Sequence, residues 1–361
     1  MKTVSHFLLI ISCLFIATQP VLGQGMEADA TSATDASSDE RSTMLFLEDE
    51  PIEMVLEADL KSLFKNRSAE PEYQIASIQY NDPLKGDITI PLKIRLRGNF
   101  RKKQCSFPPI RFNFQKKTVK GTVFEGQDKL KLVTHCRSKK ESYQQYLYGE
   151  YLAYKTYNLL TDYSFRVRMV KITYKDTSGK LDDITRYAFF IEDEGSLAYR
   201  LECRNLDRKN VHPDQTIRKQ VDVLSVYQYM VGNTDWSIPN LHNIKLLKDS
   251  IPSHKPIAVP YDFDWCGIIG APYAVPNPVL GIKSVKERIY RGFCRTEEEF
   301  KESFAVFLEK KDEIYATYTD FALLDPKVRS SALKYYDDFY EIIQNDKYIK
   351  REFIDSCRKG R

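Results

Sequence analysis

Between Asn233 and Trp265 the chain reads N-T-D-W-S-I-P-N-L-H-N-I-K-L-L, then a polar loop, then P-I-A-V-P-Y-D-F-D-W. A carboxylate (Asp235), an amide five residues later (Asn240) and a second carboxylate (Asp262) follow one another in one short segment. Phosphoryl transfer needs such groups: one carboxylate to orient a hydroxyl, and hard oxygen ligands for the cation that neutralises the phosphates. In that reading Asp235 accepts the hydroxyl proton, Asn240 ligates a divalent metal, and Asp262 ligates it and bridges to the phosphates. An Asp and an Asn five apart mean little alone. A helix before them, a strand pair after them and a closing D-F-D make the set more specific. The competing account is structural: each carboxylate or amide caps a turn or satisfies loop backbone.

These residues need elements to position them. Thr216 to Met230 has helical spacing and runs directly into Asn233, while Asn243–Leu247 and Pro256–Pro260 read as short strands. Upstream, Pro51–Phe64 reads as a strand and short helix. Strand-like runs follow at Tyr73–Tyr80, Ile88–Leu96, Ile110–Phe114 and Lys129–Val133. Ser142–Leu160 spaces its tyrosines and leucines as an amphipathic helix, and Arg166–Tyr174 and Arg186–Glu192 read as two more strands. Downstream, Thr296 opens a capping box for a helix reaching Thr317, and Asp325-Pro326 opens another to Gln344. A last helix is expected from Lys347 to Cys357.

Between two of the strands sits R-L-R-G-N-F-R-K-K, where Gly98-Asn99 gives a hairpin signal. Local evidence favours a solvated basic turn; the functional reading is a loop that covers phosphate, with Arg97 among its cations.

R-G-N near the start of a sheet, then N-x-D-W-x-x-x-N and D-F-D-W, resemble the CotH family of secretory-pathway kinase-like proteins, over about Arg95 to Gly267. The resemblance implies an α+β, two-lobed protein-kinase-like fold. Its N-terminal sheet-plus-helix lobe would span 44–195 and its mainly helical C-terminal lobe 196–361. It also implies ATP with Mg2+ or Mn2+ as cofactors, protein hydroxyls as acceptors, Asp235 as the catalytic-loop aspartate, Asn240 and Asp262 as metal ligands, and Asp264 as an additional candidate ligand. The sequence departs from the family after R-G-N: where lysines are usual it reads Cys105-Ser106-Phe107-Pro108-Pro109-Ile110-Arg111. The phosphate-holding cation is then Arg111 or Lys131, and its carboxylate partner Glu141 or Glu150. A non-catalytic surface or periplasmic binding module is the competing class.

The N-terminus reads as a secretory signal over 1–23: Lys2, an apolar run Phe7–Ile16, and the small-residue site before Gln24. Cys13 makes lipoprotein anchoring the lesser alternative. Residues 24–43, rich in Ala, Ser, Thr and acids, read as a flexible linker. A secreted or periplasmic protein follows, with no integral span after cleavage. The net charge of 54 − 50 = +4 gives no case for a nucleic-acid partner. Of 7 cysteines, removal of Cys13 leaves six, an even number that permits disulfides. Cys105 and Cys136 flank adjoining strands and are the first pair to test; buried thiols fit equally well.

Overall fold

The computed structural model describes residues 44–359, so the expected signal and linker lie outside the described residues. Seven strands form the first half: β1 (Ile52–Ala58), β2 (Gln74–Asp82), β3 (Gly86–Leu96), β4 (Ile110–Asn113), β5 (Lys129–Val133), β6 (Val167–Asp176) and β7 (Ile184–Ile191). They close in the order β1-β2-β3-β4-β5-β7-β6. The closing seam is a parallel ladder between β1 and β6, from Ile52 opposite Val170 to Ala58 opposite Asp176. Alternation drives the closure. Met54, Leu56, Ile78, Ile90, Ile94, Phe112, Leu130, Leu132, Ile172 and Phe190 all turn inward and fill the barrel. Each such side chain contributes about 1.5–3 kcal/mol by leaving water.

This overturns the expected two-lobed protein-kinase-like fold with an open sheet-plus-helix lobe. The first strand had been read only as a local strand. In the structure it hydrogen-bonds to both β2 and β6, leaving the seven-stranded sheet no open edge.

Helix α1 (Ser142–Leu160) packs outside the barrel, against β6 and β7. Its inner face joins a second, largely aromatic core with α2 (Arg218–Met230), α3 (Glu297–Glu309), α4 (Lys311–Thr319) and α5 (Pro326–Ile343). Tyr154, Tyr227 and Phe263 meet edge-on at its centre. A small sheet, β10-β9-β8, completes the fold, with β8 at Cys203–Asn205, β9 at Ile244–Asp249 and β10 at Ile257–Pro260.

The capping box at Thr296 and the Asp325 cap with proline at the first turn both form. Three local expectations do not hold. The helix from Thr296 breaks at Lys310, giving α3 and α4. The last segment is a short helix, Asp346–Ile349, followed by one wider turn, Lys350–Ile354. Gly98-Asn99 does not turn a hairpin. Arg97 N–H instead donates to Pro109 O at 2.9 Å, so β3 and β4 are joined by a long excursion with a short helix at Phe100–Gln104. Two disulfides form, Cys105–Cys136 and Cys294–Cys357, while Cys203 and Cys266 stay reduced. None of the described helices is long and apolar enough to cross a membrane.

Candidate active site

A cavity of about 520 Å3 lies between the outer wall of the barrel and the loops that leave α2 and β10. The barrel side supplies cations. On β5 the inward positions are Leu130 and Leu132, which turns Lys131 outward. Arg97, one residue beyond β3, lines the same wall. Arg111 stands opposite Lys131 in the β4–β5 ladder but does not line the cavity. Its Nε is buried without a hydrogen-bond partner.

The excursion after β3 carries the residue that sequence reasoning missed. Gly98, at φ +82°, turns the chain so that the short helix points Arg101 into the cavity. Arg101 Nη1 lies 2.8 Å from Glu150 Oε2 and 3.7 Å from Asp264 Oδ2, and Nη2 donates to Thr134 O at 2.9 Å. The Cys105–Cys136 bridge ties the end of this helix to the chain just past β5. Glu150 is thus the paired helix carboxylate, and Glu141 faces Arg186 instead. Arg101 stood in the basic run around Gly98; a signal existed there, but nothing in the spacing singled it out from its four basic neighbours.

The opposite wall supplies the acids. Helix α2 ends at Gly232 (φ +67°), and Asn233, fully buried, accepts Asp235 N–H at 2.9 Å through its side-chain oxygen. Ser237 and His242 then exchange both backbone hydrogen bonds, closing a small loop. Asn240 sits on that loop, exposed and outside the cavity, so the amide predicted as a metal ligand is not placed with the carboxylates. Asn243 takes that position. It has φ +52°, and its side-chain nitrogen donates to Asp235 O at 2.8 Å and Asp235 Oδ2 at 3.0 Å. His242 Nε2 lies 2.7 Å from Asp235 Oδ1.

Asp262 follows β10 in a left-handed conformation, φ +64°, which costs a non-glycine residue about 1–2 kcal/mol. Its N–H donates to Tyr154 Oη at 2.7 Å. Tyr154 and Glu150, four residues apart, lie on one face of α1, which explains why one helix reaches both the acidic turn and Arg101. Phe263 is buried between Tyr154 and Tyr227, anchoring the turn in the core.

The cavity therefore holds Arg97, Arg101 and Lys131 against Asp235, Asn243, Asp262, Asp264 and Glu150. Burial pushes the Asp264 carboxyl well above the usual carboxylate range, and the charges of Asp262 and Glu150 add to that. Burial likewise raises Glu150, against the pull of Arg101. Burial alone would lower Arg101, but Tyr273, Glu150 and Asp264 raise it. Lys131 is lowered by burial and by Arg97, and is held by Glu194 at 3.3 Å. Arg97 is also lowered by burial and has no carboxylate at ion-pair distance among the described residues. The barrel wall thus keeps one cavity-lining guanidinium uncommitted, while the acids facing it crowd one another. Neither a protein-family model nor a curated protein matches this chain.

Proposed function

We propose that the chain is an exported phosphotransferase that moves the γ-phosphoryl group of ATP to a protein hydroxyl with Mg2+ or Mn2+, and that its motif residues reflect kinship with the CotH family. The observation that carries this reading is the shared cavity: cations on the barrel wall face Asp235, Asn243, Asp262 and Asp264 across it. Arg97, uncommitted and aimed into the cavity, suits the phosphates as a fork of donors. Arg101 is held by Glu150, so the helix carboxylate fixes a second guanidinium beside them.

The donor set fits a hard divalent cation. Among the described residues no group of three or more His, Cys, Asp or Glu is arranged to hold a metal alone. Magnesium usually takes only one or two carboxylates and completes its shell with phosphate oxygens and water. Asp262 and Asp264, with the Asn243 amide, would hold it, at a place where burial and the neighbouring Asp262 and Glu150 charges already raise Asp264. When bound, the metal supplies charge neutralisation at the phosphates.

In the reaction the acceptor oxygen bonds to the γ-phosphorus, the bond from that phosphorus to the bridging oxygen breaks, and ADP leaves. Asp235 orients the hydroxyl and takes its proton, with Asn243 and His242 fixing the carboxylate plane. The two disulfides support an oxidising compartment outside the cytoplasm.

Labelled ATP with Mg2+ or Mn2+ tests the reading. Wild type should incorporate label into itself or a generic acceptor, and Asp262→Ala should lose at least about 100-fold, the scale of losing a positioned electrostatic group. Equal incorporation by both would sink it. If neither incorporates label and millimolar ATP with metal leaves the melting midpoint unchanged, a non-catalytic binding module is the better account.

A further inference from the structure

The cavity continues past Asp235. Asp235, His242 and Trp265 also border a second compartment of about 310 Å3, whose wall includes Trp236, Asn240, Val275, Asn277 and Arg291. Asp235 stands at the junction, so one side belongs to the nucleotide compartment and the other is where a hydroxyl must arrive to meet it.

The chemistry of this second compartment is lopsided. Its lining contains one carboxylate, Asp235, which His242 and Asn243 already engage. Its arginine is differently placed. Arg291 donates to Thr234 O and lies 6.0 Å from the centre of the Trp236 ring, which fixes the guanidinium plane. It has no carboxylate at ion-pair distance among the described residues. Burial disfavours its charge and the charge of Arg358 adds to that, while Asp235 acts against both. A half-buried guanidinium with open donors and no counter-ion is a site for a carboxylate. Two valines border it: Val275, which is 61% exposed, and the buried Val285.

We propose that this compartment is the acceptor subsite and that it takes an acidic peptide, in which a Glu or Asp beside the acceptor hydroxyl meets Arg291 while apolar neighbours lie on the valine rim. The fate of the hydroxyl rests on the phosphotransfer reading; the recognition of the acidic peptide does not.

Binding of labelled peptides separates the two. Matched serine peptides with glutamate or lysine flanks are titrated against the disulfide-intact protein and followed by fluorescence anisotropy. The glutamate peptide should bind at least about tenfold more tightly, in line with loss of one charge-assisted pair. Arg291→Ala should abolish that preference. Asn277→Asp adds a negative charge to the compartment and preserves the turn, because its side-chain oxygen still accepts Val279 N–H, as Asn277 does at 3.1 Å. It should cut the preference about threefold, a modest rim-charge effect, and it decides the matter if Arg291→Ala does not fold. Equal binding of the two peptides overturns the proposal, as does a preference unmoved by the variants that fold. A glutamate preference without label transfer to any peptide keeps the subsite and removes the phosphotransfer reading.

Discussion

The two walls of the cavity are built by different means. On the barrel side, Lys131 is placed by ladder register, and Arg97 by a single bond that continues it. On the other side, Asp235, Asn243 and Asp262 sit on loops, two of them in left-handed backbone, held by side-chain bonds to Asn233, Asp235 and Tyr154. Register positions a side chain without local strain, because the whole sheet shares the constraint. A loop can aim carboxylates at one point only by accepting conformations that most residues avoid. Glu150 and Arg101 are the rivet between the two, one from α1 and one from the barrel excursion.

Breaking the rivet should have the largest effect. Glu150→Ala leaves Arg101 buried with only Asp264 at 3.7 Å, and should destabilise the protein by about 3–5 kcal/mol in urea unfolding. A loss below about 1 kcal/mol would show that Arg101 relaxes to solvent.

The acid wall should also announce itself in pH dependence. Glu150 and Asp264 have folded-state pKa values raised from their ordinary 4.5 and 3.8, so the native protein binds more protons than the unfolded chain. Stability should therefore be greatest below those ordinary values and fall as pH rises through and above them, by up to about 1.4 kcal/mol per pH unit for each group. Asp264→Asn should flatten that slope in a melting series. If the slope persists in that variant, the proton is held elsewhere.

Asp262→Gly probes the strained wall. Glycine adopts φ +64° freely, so stability should rise by about 1 kcal/mol while label transfer is lost. Destabilisation would mean that the carboxylate contributes more to the fold than its backbone costs.

The smallest effect is expected on the register-built wall. Lys131 and Glu194 form a partly exposed pair, and Glu194 keeps Lys245 at 3.0 Å when Lys131 is removed. Lys131→Met should change stability by less than about 1 kcal/mol and raise the KM for ATP rather than lower kcat.

The same contrast explains what the amino-acid order disclosed. Helix Ser142–Leu160 and strand Lys129–Val133 were legible to the residue, because each repeats one local period and ends at a clear break. Barrel closure was not. It depends on Ile52 finding Val170, a pairing of distant segments that no local pattern encodes. At the site, Asp235 and Asp262 were legible from order and spacing and Asp264 from the family resemblance, and all three line the cavity. Asn240 lies outside that cavity because the Ser237–His242 bridge folds back residues that linear counting treats as extended chain. Arg101 was not legible for a similar reason: it reaches Glu150 because Gly98 turns the chain and Cys105 is tethered, both facts of three dimensions. Two of the candidates, Lys131 and Arg97, do line the cavity, and Arg111 stops beside it.

Closure of the barrel has one more consequence, for how the molecule behaves in a crowd. An open sheet offers unpaired backbone groups on which a second chain can add a strand. No barrel strand is an edge strand, since β1 is bonded on both sides, although β3 pairs with β4 only from Lys93 to Leu96 and β7 with β5 only from Phe189 to Ile191. Among the described strands, those at a sheet margin are β8 and β10, and β10 is buried, with its Ala258 carbonyl already accepting from Gln220 Nε2. Self-association by strand addition is thereby left to β8, three residues long, and to the parts of β3 and β7 that run beyond their β4 and β5 partners.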